Sequence, residues 1–281
     1  MNGILWLASY PKSGNTWLRL ALQSLRRPQE TVDLNDRRGR SLSASSRFLL
    51  DRTLNVESSD LTPEETEIAR PQCYEQLAAS ITGCVILKAH DAWTLTCAGT
   101  PMFPASATGG VVYLTRDPRD VAPSLAHHLG SSIDAAIEQM EDPDHIMSAS
   151  SELILRQLPE RLLSWSAHAE SWLDSSGLRL LLVRYEDMIA DMPKVLTQVV
   201  QFAGLHADVT AIERAVESVR FSTLRAAEER QGFTEGPAGI QRFFRRGVVG
   251  GWRDELTPAQ VERIVMCHGT MMRRLGYGAG Q

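Results

Sequence analysis

Four short apolar runs, Gly3–Ser9, Cys84–Lys88, Val111–Thr115 and Leu178–Arg184, constrain most strongly what this chain can fold into. Each is continuous rather than alternating, the pattern of strands covered on both faces. Helical patterns lie between them, so the expected fold is α/β, a central parallel sheet flanked by helices. Asn15–Arg27 reads as the first crossover helix, with Trp17, Leu18, Leu20, Ala21, Leu22 and Leu25 on its apolar faces. Asp117 is an N-cap candidate followed by Pro118 at the first helical position. Thr257-Pro-Ala-Gln260 opens a last helix as a capping box. Val261, Ile264, Val265, His268, Met271, Met272 and Leu275 then form one stripe, and Gly276 stands where the helix stops.

At 281 residues, without an internal repeat or a Pro/Ser-rich linker, the chain is expected to form one domain over residues 1–281. Two stretches lack periodicity and are expected as mobile loops. Residues 29–60 mix charges and serines, and residues 228–251 hold six glycines, a composition suited to a lid or binding segment. The net charge of −5 excludes a nucleic-acid binder that relies on a basic surface. Cys73, Cys84, Cys97 and Cys267 show neither Cys-x-x-Cys spacing nor a nearby His set, so no zinc site is expected and they read as reduced core thiols. The first apolar run lacks a basic flank, and no stretch nears the ~18 apolar residues of a membrane span, which gives a cytoplasmic reading.

The first strand leads into Tyr10-Pro-Lys-Ser-Gly-Asn-Thr-Trp17 and then a helix. A strand, a glycine turn and a helix start gather backbone N–H groups at the positive end of a helix dipole, a ready anion site. Lys12 adds a mobile charge; Ser13, Asn15 and Thr16 add short donors. The Walker pattern fails here. No glycine lies at the required upstream spacing, and Lys12 precedes Gly14 where the Walker lysine follows its glycine.

Tyr10–Trp17 resembles the 5′-phosphosulfate loop, Y-P-K-[ST]-G-[TN]-T-W, of the PAPS-dependent sulfotransferases. Three further segments match that family in order and rough spacing. Lys88-Ala-His90 is similar to the family's K-x-H, which implies His90 as catalytic base with Lys88 as a second cation. Thr115-Arg-Asp-Pro-Arg-Asp-Val-Ala-Pro-Ser124 resembles its 3′-phosphate motif and implies Arg116 and Ser124 as ligands, with Arg119 and Asp120 left to solvent. Arg245-Arg-Gly-Val-Val-Gly-Gly-Trp252 resembles the late R-K-G-x-x-G-D-W loop, implying a 3′-phosphate grip by Arg245, Arg246 and Gly247. It departs by Arg246 for lysine and Gly251 for aspartate, the latter leaving a carboxylate role unfilled. Gly14 and Trp17 belong to the first loop, and Tyr185 and Phe221 match residues that lie against the adenine with Trp17.

The resemblance spans residues 9–252 and implies a P-loop-like sulfotransferase fold. PAPS would be cosubstrate and PAP the product, with no metal, no nucleic acid and no membrane partner. In that scheme Lys12 stabilises the leaving phosphate and His90 takes the proton of a hydroxylated small-molecule acceptor. The opening segment resembles small bacterial sulfotransferases, including those acting on glycopeptide antibiotics. His127, His128, Trp93, Phe103, Trp165, His168, Trp172 and Phe233 are candidates for an acceptor pocket, although Trp165, His168 and Trp172 at helical spacing also suit a core. The dimer motif of the eukaryotic members is not evident, and oligomeric state stays open. Two other classes share the strand–loop–helix logic: an ATP/Mg-dependent small-molecule kinase and a noncatalytic adenine-nucleotide sensor.

Overall fold

The computed structural model describes residues 2–27, 33–35, 42–150, 153–235 and 242–278. Its strands are β1 (Gly3–Ser9), β2 (Leu42–Ser43), β3 (Cys84–Ala89), β4 (Thr108–Thr115), β5 (Ile146–Met147), β6 (Glu160–Arg161) and β7 (Leu180–Arg184). The α-helices are α1 (Asn15–Arg26), α2 (Arg47–Leu54), α3 (Pro63–Ser80), α4 (Pro118–Leu129), α5 (Ile133–Glu141), α6 (Trp165–Glu170), α7 (Tyr185–Phe202), α8 (Val209–Ser218), α9 (Phe221–Gln231) and α10 (Pro258–Arg274). The fold is α/β, a central parallel sheet flanked by helices. Strand order is β2-β3-β1-β4-β7, and β5 and β6 form a separate antiparallel pair. β1 pairs with β3 in parallel from Gly3 opposite Cys84 to Ala8 opposite Ala89. Its central place explains why Ile4 to Ala8 is an unbroken apolar run: every one of those residues is buried.

The four expected strands are present, β1 with the expected ends and the other three each with one end shifted, and α1 ends one residue earlier than expected. The loop expectations need correction. Within 29–60, β2 adds to the sheet edge and Arg47–Leu54 is helical, capped by the Ser46 hydroxyl accepting from the Leu49 amide. Residues 29–32 and 36–41 of that stretch lie outside the described residues. Within 228–251, α9 continues to Gln231 and Gly251 opens a 3₁₀ turn that ends at Asp254, while residues 236–241 lie outside the described residues. The core-thiol expectation holds for Cys73 alone; Cys84 is half-buried, and Cys97 in a turn and Cys267 on the outer face of α10 are exposed. The two capping signals act as read, at Asp117 before α4 and at Thr257 with Gln260 before α10. No described helix is long and apolar enough to cross a membrane.

The residues gather into two compact units. The first comprises residues 1–10, 41–113 and 142–182, and the second residues 11–40, 114–141 and 183–281. The first unit is centred on Trp6, whose ring meets Tyr74 and Phe103 edge-on at 5.0 and 4.9 Å while its indole N–H donates to the Thr108 hydroxyl. Such edge-to-face packing adds to the burial of the rings. In the second unit α1 packs on α7 and α8, and α10 packs on α4 and α5.

Candidate functional site

The glycine turn of the second unit is built around two left-handed residues. Lys12 has φ 68° and Gly14 has φ 95°, flanking Ser13. A lysine there is held against its own preference, at a cost of about 1–2 kcal/mol. A backbone that enters the left-handed region in this way curls its amides into an anion-holding nest. Gly14 has a second reason to be glycine: a Cβ there would lie 2.7 Å from the Tyr185 ring. The Trp17 and Leu18 amides close the first turn of α1 on the Gly14 carbonyl. Ser13 is fully buried, and its hydroxyl has no hydrogen-bond partner within the protein.

Around this turn the second unit assembles most of the residues expected to hold a nucleotide. Tyr185, the first residue of α7, faces Trp17 edge-on at 6.0 Å, and the Arg116 guanidinium lies 4.3 Å from the Tyr185 ring centre. The Trp17 indole donates to the Val219 carbonyl. Arg116 also donates to the carbonyls of Lys12 and Val248, at 3.3 and 3.1 Å, while its buried Nε has no partner. Phe221 opens α9 and packs on Gly247, where a Cβ would come within 2.4 Å of its ring. The Lys12 ammonium lies 4.1 Å from the centre of the Phe243 ring. Ser124 sits half-buried one turn beyond Asp120 on α4, while Asn15 is buried and Thr16 half-buried at the head of α1.

Arg119 and Asp120 correct the expectation of solvated side chains. Arg119 is 1% exposed; it pairs with the Asp117 carboxylate at 2.7 Å and lies over the Trp252 ring at 4.5 Å. Asp120 is 3% exposed, and its carboxylate accepts from the amides of Gly250 and Trp252 at 2.7 and 2.9 Å. Although Gly251 offers no carboxylate, this loop is therefore anchored by one from α4. Arg245 and Arg246 are engaged by local acids. Arg245 makes a two-point pair with Glu255 at 2.6 and 2.7 Å, while Arg246 reaches Glu255 at 2.9 Å and Asp254 at 2.8 Å. These arginines hold the Glu255 carboxyl below the usual range despite its partial burial.

The first unit carries the other candidates. His90 follows β3 and is 8% exposed, and its Nδ1 lies 2.7 Å from the Ser9 carbonyl. A carbonyl can only accept, so Nδ1 bears the hydrogen and a neutral ring keeps its lone pair on Nε2. Lys88, half-buried on β3, acts electrostatically on Glu160 of β6. Burial and the nearby Asp91 push the Glu160 carboxyl up to about 7, against the pull of Lys88 and Arg70. Asp91 itself takes a two-point pair from Arg70 at 3.0 and 2.5 Å, and it accepts from the Arg161 amide.

The acceptor-pocket candidates separate. Phe103, Trp165, His168 and Trp172 are fully buried in the first unit, with Trp172 against Phe103 at 4.8 Å. In the second unit His128 and Phe233 join an aromatic cluster with Phe243 and Phe244, and His127 donates from Nε2 to the Arg242 carbonyl. Glu228 holds the Phe243 and Phe244 amides in place. Sequence reasoning missed Glu228, Phe243 and Glu255, which act on backbone or charge that the motifs do not mark, and it missed the amides that Asp120 holds. Among the described residues no group of His, Cys, Asp and Glu side chains is placed to hold a metal ion.

Within the second unit Trp17, Arg116 and Tyr185 stand around the glycine turn, and within the first His90 and Lys88 stand at the end of β3. The chain belongs to the sulfotransferase family: a family model described as "Sulfotransferase domain" matches residues 3–276. Rabbit sulfotransferase 1C2 (Oryctolagus cuniculus) is 23% identical over 268 residues, covering 92% of this chain and 80% of that protein. Human sulfotransferase 2B1 is 26% identical over 174 residues, and the match spans 60% of this chain and 46% of that protein's length, under half of it. Mouse sulfotransferase SULT7A1, solved with PAP, shares the fold with a TM-score of 0.61 at 19% identity, covering 97% of this chain and 86% of that one. Retinol dehydratase, solved with androsterone and PAP, gives a TM-score of 0.61 at 20% identity, covering 99% and 82%.

Proposed function

We propose that this protein transfers a sulfuryl group from PAPS to the hydroxyl of a small-molecule acceptor, without a metal ion. The observation that carries the reading is the turn at Lys12–Gly14: a lysine held left-handed, a buried Ser13 hydroxyl without a protein partner, and a glycine on which Tyr185 rests. The buried Arg116 Nε, likewise without a partner, adds a second polar group suited to an anion. The residues present therefore fit an adenine nucleotide bearing two anionic ends. Ser13, Gly14, Asn15, Thr16 and Lys12 would hold its 5′ end, and Trp17, Tyr185 and Phe221 the base. Arg116, Ser124, Arg245, Arg246 and Gly247 would hold the 3′-phosphate. PAPS supplies an activated sulfuryl group and leaves as the bisphosphate.

The chain's own groups then have defined tasks. His90, with hydrogen on Nδ1 and the lone pair on Nε2, accepts the acceptor's hydroxyl proton at Nε2. Lys12 places an ammonium where negative charge grows on the leaving oxygen, and Lys88 adds a second cation. Ser9, whose carbonyl orients the His90 ring, stands three positions before Lys12 in the chain. Retinol dehydratase has been solved with androsterone and, separately, with retinol, and both structures support an apolar hydroxylated molecule as the acceptor class here. The likeness of the opening segment to glycopeptide-antibiotic sulfotransferases keeps such bacterial acceptors in the panel to be tried.

The test combines one binding and one turnover measurement. Adenosine 3′,5′-bisphosphate without metal should raise the melting temperature, and ATP with Mg²⁺ should do no better. A response to ATP and Mg²⁺ alone would overturn the reading in favour of a kinase. His90→Ala should cut transfer by about 10²–10⁴-fold to a small residual rate, read from the mass gain of the acceptor, while sparing bisphosphate binding. A variant that turns over at the wild-type rate removes His90 as base. Bisphosphate binding without transfer across a broad acceptor panel would identify a sensor instead.

A further inference from the structure

Residues 90–93 leave the end of β3 as a loop, and one stretch of helix holds three of their backbone groups. His168 Nε2 donates to the His90 carbonyl at 3.0 Å. The Trp172 indole N–H donates to the Asp91 carbonyl at 3.1 Å, and the Trp93 amide donates to the Ser171 hydroxyl at 3.0 Å. His168, Ser171 and Trp172 stand at i, i+3 and i+4, so they share one helix face. The helix changes there from α to π, the π turn running Ser171–Ser175. Single π turns inside helices concentrate at functional sites, because they re-aim side chains that a regular helix would turn away.

His168 is fixed chemically as well as sterically. Its ring is fully buried, and Nδ1 lies 2.9 Å from the Tyr113 hydroxyl, also buried. Because the His90 carbonyl can only accept, Nε2 carries the hydrogen, and Tyr113 donates to the lone pair on Nδ1. Burial drives the His168 pKa down to about 4, which keeps this neutral tautomer throughout the working range. The Tyr10 ring closes the remaining side, edge-on at 5.5 Å.

We propose that His168, with Tyr113 behind it, is a positioning residue for the base. Its hydrogen bond fixes the main chain at His90, as the Ser9 carbonyl fixes the ring, and together they set the direction of Nε2. The proposal rests on His90 being the base. A buried histidine satisfied by two neighbours would pack equally well in any core. What distinguishes this one is that its donor ends on the backbone of the residue doing the chemistry.

The experiment measures kcat, acceptor KM and adenosine 3′,5′-bisphosphate affinity for His168→Leu, His168→Gln and Tyr113→Phe, each in the wild-type and His90→Ala backgrounds. His168→Leu should lower kcat by about 10²-fold, the scale of a small misplacement at a reacting group. Bisphosphate Kd should stay within about twofold, since the loss is confined to the transition state. His168→Gln, whose amide can donate to the same carbonyl, should recover to within about 10-fold of wild type. Tyr113→Phe removes one oxygen, so it stays measurable should His168→Leu fail to fold, and it should fall between the two. In the His90→Ala background none of these changes should lower the residual rate further, because the effect passes through His90.

Wild-type kcat in His168→Leu or Tyr113→Phe, no rescue by glutamine, or an equal loss with and without His90 would each overturn the assignment. If His90→Ala itself turned over normally, the base reading and the proposal would fall together. An inactive His90→Ala beside fully active His168 and Tyr113 variants would remove only the positioning role.

Discussion

The segment after β3 and the loop before α10 both carry motif residues, yet they spend their polar groups differently. In residues 90–93 the ties join main-chain groups to buried side chains, and the Asp91 carboxylate is claimed by Arg70. In residues 245–252 the ties use the guanidinium groups that a phosphate would want, and the partners Glu255 and Asp254 are 20% and 71% exposed. On the proposed reading, the first region keeps its ties when a nucleotide binds, and the second exchanges Glu255 and Asp254 for the 3′-phosphate. Damage to the first should therefore appear as lost stability and lost turnover, and damage to the second as altered nucleotide affinity.

The hardest test of that contrast is Arg70→Met. It would leave Asp91, 1% exposed, as a buried carboxylate deprived of its two-point partner. The expected loss is about 3–5 kcal/mol in urea unfolding, the cost of breaking a buried pair from one side. A loss no larger than that of a surface pair would show that residues 90–93 are not held as argued. Next in size is Lys12→Ala, which should lower the turnover number by roughly 10²–10³-fold, the scale of removing one preorganised charge-stabilising donor. The same substitution removes a cation–aromatic contact with Phe243. Unchanged turnover would detach Lys12 from the chemistry.

How much of this could be read from the sequence depends on how local each cause is. Strands with continuous apolar runs and helices with capping residues were legible, because pattern and cause lie within a few residues. β2 was not: two residues on a sheet edge leave no run to detect. The helix after Ser46 was not legible either, because the charges and serines of residues 29–60 hide its short apolar run. The glycine turn and His90 were legible as motifs. The burial of Arg119 and Asp120 was not, since the amides that Asp120 holds lie 130 and 132 residues further along the chain. The π turn that aligns His168 with Trp172 has no composition of its own, so a helical period could only place both in a core.

Glu255→Gln sharpens the comparison from the other side. The glutamine removes one negative charge from Arg245 and Arg246 without removing bulk, so an incoming 3′-phosphate meets less competition. Affinity for adenosine 3′,5′-bisphosphate should rise by about 10-fold, equivalent to roughly 1.4 kcal/mol, with affinity for adenosine 5′-phosphate unchanged. Stability should move by less than about 1 kcal/mol, because the pair is only partly buried. Calorimetric titration of both nucleotides separates the outcomes. Weaker bisphosphate binding in the variant would mean that Glu255 preorganises the arginines rather than competing for them.

The smallest expected net effect comes from two opposed pH slopes within the first unit. His168 has its pKa lowered from 6.5 to about 4, so the folded state resists protonation there. Its stability contribution is present above pH 6.5 and is lost as pH falls toward about 4. Glu160 has its pKa raised from 4.5 to about 7, so the folded state prefers the protonated carboxyl. Its contribution is present below pH 4.5 and is lost as pH rises through about 7. Between pH 4.5 and 6.5 the slopes oppose, and the wild-type melting temperature should change little from these two groups. His168→Gln removes the rising slope and should leave stability falling with pH across that window. Glu160→Gln removes the falling slope and should leave stability rising. Melting curves of both variants from pH 4 to pH 8 check the signs, and parallel profiles would show that neither burial controls titration as the packing requires.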